Sequence, residues 1–334
     1  MHRVPTRRPR ARERAKERAR ERRASVAMAL AVRGVGSRCA VTPRASLRRT
    51  RVLARASAAP DFAHESSLRA MGLAPRARAR DGREVVFTTS ATCPYAHRVW
   101  LALVELGVEH EKRVENLEAK SEAFKGLFAR ASPDAGANAS VPILEHGGAA
   151  MVESALVLKY VSETFDRGAE KSLKAEGVRG YYGQLFADTF QQCVPIFFKM
   201  LRATSEAELK EAEEALVKGL QKANRVLELG AEARAGGPYA CGEQFTTCDI
   251  MVMTFVPRLE IVLAHYRGFN LRKALKDSNC SALEKWMAAV SERPSLVQTL
   301  GEVEKMTGKT KSQAFIDHFA KFVTWRTDKG TVAA

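Results

Sequence analysis

The sequence is poor in cysteine, and the spacing of its cysteines excludes two common ways of stabilising a fold. Six cysteines occur among 334 residues, with no CxxC pair and no cysteine–histidine set at the spacing of a zinc site. Disulfide-rich domains need many closely spaced cysteines, and structural zinc sites need four ligands in short clusters. We therefore expect free thiols, a reducing compartment and no metal.

Long apolar runs and internal repeats are also missing. No stretch reaches 18 consecutive apolar residues, so we expect no membrane-spanning helix.

The formal charge is +16, but residues 1–60 hold 18 Lys and Arg against three Glu, leaving 36 basic and 35 acidic residues elsewhere. The folded part is thus nearly neutral and shows no nucleic-acid-binding motif, so we expect no nucleic-acid partner.

Acidic residues are absent from Met28 to Pro60, where Arg, Ala and Ser dominate. This composition is typical of an organelle transit peptide, which we assign to residues 1–58. The weakly amphipathic, Ser- and Ala-rich character favours a chloroplast over a mitochondrion. Residues 1–27 interrupt the pattern with Glu and have no apolar face. Met28 is therefore an alternative start, in which case residues 1–27 are a wrongly assigned extension and not part of the transit peptide. Residues 59–82 lack a sustained period and are interpreted as a linker or arm.

Two folded regions follow the arm. Residues 83–166 alternate β-branched runs with amphipathic runs in the order βαβαββα, which predicts an α/β domain with a mixed sheet. Residues 172–305 have helical periodicity throughout and predict an all-α domain, with capping boxes beginning at Ser205 and Thr246. Residues 306–334 form a C-terminal helix and tail, whose Phe stripe is expected to pack on the body or to act as a lid.

Cys93 lies between the first predicted strand and the first predicted helix. Unpaired N–H groups and the helix dipole at such a junction favour a thiolate, and Pro94 suits the first helical position. A cysteine can equally be a small buried core residue. His97, one turn later, is interpreted as a solvated helix residue and not as catalytic.

Two further pairs occur at positions that can hold a peptide. Val141-Pro142 at the start of a strand predicts a cis bond that exposes the backbone of Val141. Ser154 can offer its hydroxyl and N–H to a carboxylate at a helix start, and Glu153 can accept from an ammonium. Each pair alone is also explained as a strand entry or a helix cap.

Residues 83 to about 300 resemble the glutathione transferase superfamily, with a thioredoxin-like domain before a helical one. The motifs are most similar to the plant lambda class, with the omega class and dehydroascorbate reductases as near neighbours. The motifs of this sequence that carry the resemblance are CPYAHRVW, NLEAKSEAF, VPILEHGG, VESALVLKYV, GPYACGEQFTTCDI and VPRLEIVLAHY. The resemblance implies Cys93 as the catalytic residue. It also implies glutathione contacts at Lys120 (glycine carboxylate), Val141 (backbone pairing), and Glu153 with Ser154 (γ-glutamyl end).

The resemblance implies a glutathione-dependent thiol transferase or reductase with glutathione as co-substrate and a small oxidised or glutathionylated substrate. The alternatives are a binding protein for flavonoid-like molecules and ordinary conjugation with a hydroxyl from Ser90 or Thr92. A monomer and a homodimer both fit. The acceptor pocket is expected in the helical domain, and its candidate residues are Tyr181, Phe186 and Phe197.

Overall fold

A computed structural model describes residues 82–168 and 171–324. The predicted transit peptide (1–58), nearly all of the predicted arm (59–82) and residues 325–334 lie outside these ranges. The sequence-based assignments for those segments stay predictions.

The first region contains four strands and three helices around one sheet. Strand β1 lies in the middle, parallel to β2 and antiparallel to β3, and β3 pairs with β4. A parallel pair needs a crossover connection, which the first helix supplies. The predicted βαβαββα order and mixed sheet are confirmed. The elements are β1 (Val85–Thr89), α1 (Pro94–Leu106), β2 (Glu111–Val114), α2 (Glu122–Ala131), β3 (Ile143–His146), β4 (Ala149–Met151) and α3 (Ser154–Thr164).

Helix α1 is buried on more than one face because it packs against the sheet, α3 and the helical region. Trp100, Leu101 and Leu103 are all fully buried although they point in different directions around the helix. Burial also takes in the polar residues His97 and Arg98. Polar side chains on this helix must therefore find partners inside the protein.

The second region is helical, as predicted. Its elements are α4 (Gly177–Gln191), α5 (Cys193–Arg202), α6 (Glu206–Leu229), α7 (Thr247–Met253), α8 (Val256–Arg267), α9 (Leu271–Asp277), α10 (Ser281–Ser291), α11 (Pro294–Thr307) and α12 (Lys311–Phe319). No helix within the described ranges is long and apolar enough to cross a membrane.

Two segments in which the helical periodicity is uninterrupted are each divided into two helices. The first breaks at Gln192, between α4 and α5, and the second breaks at Thr254 and Phe255, between α7 and α8. Pro195 and Pro257 fall in the first turns of the new helices, where their missing N–H groups cost no hydrogen bond. Apolar periodicity continues across both breaks, which is why it did not reveal them.

The two predicted capping boxes have different outcomes. The Thr246–Asp249 box is complete, with each side chain accepting from the other residue's N–H. Ser205 accepts from the N–H of Glu208 at 3.2 Å. The Glu208 carboxylate, however, accepts from the N–H and hydroxyl of Thr204, both at 2.8 Å, so the second prediction was half right.

The C-terminal Phe stripe packs on the body of the protein. Phe315 and Phe319 are fully buried, and the Phe319 ring lies 5.3 Å from that of Phe197. Phe186 is equally buried, 4.9 Å from the ring of Trp286. Phe186 and Phe197 are therefore core residues and do not line an open pocket, contrary to expectation, whereas Tyr181 is exposed.

An ion pair joins the end of α1 to the start of α11. The Arg293 guanidinium donates from Nε and Nη2 to the two carboxylate oxygens of Glu105, each at 2.8 Å. Ser295 adds its hydroxyl to the same carboxylate at 2.5 Å. These contacts connect the helix that follows Cys93 to the helical region.

Candidate active site around Cys93

Cys93 occupies the predicted junction between β1 and α1. It is the residue that precedes the helix, with extended backbone angles, and its own N–H donates to the Ser90 carbonyl at 3.3 Å. The N–H groups of Tyr95 and Ala96 act on its sulfur. Because these groups belong to the first turn, they are free to bind an anion.

Cys93 differs from the other cysteines in its exposure. Among the five cysteines in the described ranges, all are free thiols and only Cys93 is not buried. The four buried cysteines are Cys193, Cys241, Cys248 and Cys280. The interpretation as a small core residue thus suits these four, while Cys93 keeps part of its surface accessible.

The charge state of the thiol is set by opposing effects. Burial is the largest and raises the pKa of the Cys93 thiol, while the N–H groups of Ala96 and Tyr95 lower it. The guanidinium groups of Arg258 and Arg98 lower it as well. The helix-terminal stabilisation predicted from the sequence is present, but burial outweighs it.

Arg98 connects Cys93 to the start of α3, a contact that the sequence did not reveal. Its Nη1 donates to the Ser154 hydroxyl at 3.3 Å, and its Nη2 donates to Gln191 at 3.4 Å. The guanidinium lies 5.0 Å from the centre of the Tyr95 ring, which is partly exposed beside Cys93. Burial lowers the pKa of Arg98 to about 10, so it stays cationic at neutral pH.

Glu153 and Ser154 stand at the start of α3, where a γ-glutamyl group was expected. Glu153 is exposed, has a φ of 69° and makes no side-chain capping bond to the helix. A positive φ is unfavourable for a residue with a Cβ and is often found at binding sites. The Glu153 carboxylate is therefore available to a ligand next to the buried Ser154 hydroxyl.

Val141 lies beside the end of β1 that leads to Cys93. Thr88 of β1 pairs with Ile143 of β3 in antiparallel register, so the residues before Ile143 run past the residues after Thr88. The Val141–Pro142 bond is cis, as predicted. Lys120 hydrogen-bonds the side chain of Asn138, in the loop that leads to Val141. The register thus places Val141 at the end of the sheet where β1 leads into the Cys93 loop.

His97 has a different environment from the one expected. It is buried, not solvated, and its Nε2 lies 2.7 Å from the hydroxyl of Thr299 in α11. Its Nδ1 lies 3.3 Å from a guanidinium nitrogen of Arg258 in α8. Burial, and then the charges of Arg258 and Lys112, lower its pKa well below the usual range, so His97 is neutral at physiological pH.

Possible metal ligands do not gather in this part of the chain. Within residues 82–168 and 171–324, no group of three or more His, Cys, Asp or Glu side chains is placed to hold a metal ion.

Comparison with known proteins agrees with this architecture. A curated relative, glutathione S-transferase DHAR2 of Arabidopsis thaliana, is 23% identical over 212 residues, covering 64% of this chain and 85% of its own. Glutathione S-transferase 3 of Glycine max is 22% identical over 227 residues, covering 67% of this chain and 93% of its own. The crystal structure of glutathione transferase Omega 3C from Trametes versicolor superposes with a TM-score of 0.54 at 25% identity, covering 70% of this chain and 93% of its own.

Family profiles match both regions. The glutathione S-transferase N-terminal domain matches residues 92–164, and the C-terminal domain matches residues 187–300. Together these matches span more than half of the chain, in the order that the fold shows. The chain therefore belongs to the glutathione transferase superfamily.

Proposed function

We propose that this protein is a glutathione-dependent thiol transferase or reductase that uses Cys93 as its single catalytic cysteine. The observation that carries the proposal is the position of Cys93 at the start of α1, where this partly buried cysteine lies among N–H donors and two guanidinium groups. A dithiol C-x-x-C enzyme carries its second thiol three residues later, and here that residue is Ala96. The reaction must then be completed by a thiol from outside the protein.

The proposed reaction has two thiol–disulfide exchange steps. The Cys93 thiolate attacks the glutathione sulfur of a mixed disulfide, forming a Cys93–glutathione disulfide and releasing the substrate as a thiolate that takes up a proton. A second glutathione, as its thiolate, attacks the glutathione sulfur of that intermediate. Glutathione disulfide leaves and the Cys93 thiolate is restored. With an oxidised substrate such as dehydroascorbate, Cys93 and one glutathione together give the substrate two electrons and two protons as the disulfide between them forms, and a second glutathione then releases glutathione disulfide.

Glutathione is proposed to lie extended across the end of the sheet where β1 leads into the Cys93 loop. Its γ-glutamyl end contacts Glu153 and Ser154, its cysteine pairs with the backbone of Val141, and its glycine carboxylate is bound by Lys120. An anionic carboxylate at the start of α3 and an ammonium beside Glu153 are the favourable charge pairings. The antiparallel register of β1 and β3 supports this arrangement, because it brings Val141 beside the Cys93 loop.

The class and the location are also proposals. The motifs around Cys93 and Val141 favour a lambda-like enzyme, acting in deglutathionylation or dehydroascorbate reduction as a monomer or homodimer. The acid-free segment from Met28 to Pro60 favours a chloroplast enzyme, with the mitochondrion as the alternative.

The test compares wild type with Cys93→Ser in the glutathione-dependent reduction of a model mixed disulfide and of dehydroascorbate. We expect turnover in wild type and a loss of at least a hundredfold in the variant, because a hydroxyl cannot form the disulfide intermediate. Cys193→Ser is the matched control, since its buried thiol has a pKa raised to about 12 and is inert. Turnover that survives in Cys93→Ser contradicts the proposal.

The same experiment separates the alternatives. Conjugation of glutathione to an electrophile that persists or improves in Cys93→Ser indicates an ordinary transferase with a hydroxyl from Ser90 or Thr92. No turnover in either protein, with retained affinity for a flavonoid-like ligand, indicates a binding protein. A groove of about 520 Å³ between α3 and α4 is a candidate place for such a ligand.

A further inference from the structure

Arg258, in α8 of the helical region, is a buried cation without an acidic partner. Its residue is fully buried, and no carboxylate in the described ranges forms an ion pair with it. An uncompensated charge in a protein interior costs several kcal/mol, so it is retained only where something else balances it. The search for that partner leads to the Cys93 loop.

The guanidinium donors of Arg258 converge on the residue before Cys93. Nε and Nη2 both donate to the carbonyl of Thr92, at 3.2 and 2.9 Å. Nη1 donates to the Thr254 carbonyl at 2.5 Å, and the guanidinium carbon lies 4.4 Å from the centre of the Phe315 ring. The Thr92 carbonyl belongs to the peptide bond that carries Cys93, so the planar fork of Arg258 fixes the orientation of that bond.

His97 completes the support of Arg258. A guanidinium only donates hydrogen bonds, so the Nδ1 of His97, 3.3 Å from Nη1, must be the acceptor. The proton of the neutral ring is then on Nε2, which donates to Thr299 at 2.7 Å, and Thr299 in turn donates to the Ser295 carbonyl at 2.8 Å. These hydrogen bonds fix the tautomer of His97 and hold its acceptor nitrogen against Nη1 of Arg258.

Carbonyl and imidazole acceptors satisfy the donors of Arg258 but leave its net charge unbalanced. Burial lowers its pKa to about 9, and the charge of Cys93 acts in the opposite direction. Arg267, another buried arginine of the same helix, lies in a different place and has a structural role. It donates to the carbonyls of Met200 and Leu201 at the end of α5, where an arginine side chain caps the last carbonyls of the helix.

We propose that Arg258 is a positioning residue for Cys93, which fixes the Thr92–Cys93 peptide and supplies the positive charge that balances the ionised sulfur. The inference rests on the proposed function of Cys93 and assigns part of its activation to the helical region. The anion that balances Arg258 is then the thiolate itself, which forms at the start of the reaction and again at its end.

The charged groups around the sulfur are few. From α1 itself, Tyr95 and Arg98 act on it, and α8 contributes Arg258. The neutral His97 contacts Arg258. His318 of α12 lies within the influence of Arg258, and its pKa is lowered to about 4, chiefly by burial, so it is neutral at pH 7. Arg98 and Arg258 are therefore the two cations that act on the thiolate at neutral pH.

The test measures the rate of Cys93 alkylation by iodoacetamide against pH, in the intact chain without glutathione. An opposite charge close to a titrating group shifts its pKa by about one unit or more. We expect Arg258→Met and Arg258→Gln to raise the alkylation midpoint by about one unit, which makes alkylation at pH 7 about tenfold slower. Arg258→Lys keeps the charge and is expected to keep the midpoint within about half a unit while it lowers turnover, because an ammonium cannot reproduce the fork on Thr92.

Arg267→Gln is the matched control and is expected to leave the midpoint unchanged even where it lowers thermal stability. Met and Gln are used together because a buried charge replaced by an apolar side chain of similar volume commonly preserves the fold, so one variant decides if the other does not fold. A folded Arg258→Met or Arg258→Gln with the wild-type midpoint overturns the proposal. Alkylation does not require turnover, so this result is independent of the Cys93→Ser activity test.

Discussion

Replacing Glu105 by Gln is expected to destabilise the protein by about 3 kcal/mol at pH 7. The Glu105 carboxylate accepts two hydrogen bonds from Arg293 and one from Ser295, and its side chain is only 11% exposed, against 24% for that of Arg293. Breaking a buried ion pair from one side costs about 3–5 kcal/mol, and the partial exposure of Arg293 places this pair at the lower end. For a protein of this size the change corresponds to a fall in Tm of roughly 6–12 °C.

The matched control is Asp277→Asn, which removes an exposed ion pair to Lys273 within α9. An exposed pair of this kind contributes about 0.5 kcal/mol or less. The pKa of Glu105 is lowered below its usual range by the hydrogen bonds from Arg293 and Ser295, against the opposing effect of burial. Its stabilisation is thus present above the unfolded-state pKa and is lost as the pH falls through the lower folded-state value.

The assay is urea unfolding of wild type and both variants, followed by tryptophan fluorescence at pH 7 and at several pH values down to 3. The free energies of unfolding of wild type and Glu105→Gln should differ by about 3 kcal/mol at pH 7, and this difference should become smaller below about pH 4. A Glu105→Gln variant that is no less stable than Asp277→Asn refutes the reasoning, because the two regions would not depend on this pair.

Three further outcomes are expected. Imidazole NMR signals of His97 should not titrate between pH 5 and 8, whereas a midpoint near 6.5 would show a solvated ring. Phe319→Ala should lower the free energy of unfolding, measured in urea, by about 3–5 kcal/mol. Val297→Ala, at an exposed site, should lower it by less than about 0.5 kcal/mol, and equal losses would mean that α12 is not packed on the body. Ser154→Ala should raise the KM for glutathione about tenfold with little change in kcat, by loss of one charge-assisted hydrogen bond; an unchanged KM would remove Ser154 from the binding site.

Local sequence patterns were enough to predict the order of strands and helices and the place of Cys93. Period-two and period-3.6 patterns report which face of an element is buried, and Pro94 indicates a helix start. The Thr246–Asp249 box could be predicted because both partners lie within one turn of the same helix. The apolar pattern continues through the breaks at Gln192 and at Thr254 and does not indicate them, so Pro195 and Pro257, in the first turns of the new helices, are the local signals there.

Contacts between distant residues could not be predicted in the same way. Arg98 reaches Ser154 across 56 positions, and Arg258 reaches Thr92 across 166. Periodicity shows that α1 has an apolar stripe but not that a second layer of helices covers its other side. The burial of His97 and of both arginines follows from that second layer, and so does the raised pKa of the Cys93 thiol.

The most direct test of the central claim is to detect the intermediate itself. The protein is incubated with a glutathionylated peptide, quenched with acid and analysed by intact-mass spectrometry and peptide mapping. We expect one added glutathione per chain, on the peptide that contains Cys93, and its removal on addition of reduced glutathione. Release of the peptide thiol without an adduct on Cys93, or with the adduct on another cysteine, would exclude Cys93 as the catalytic residue.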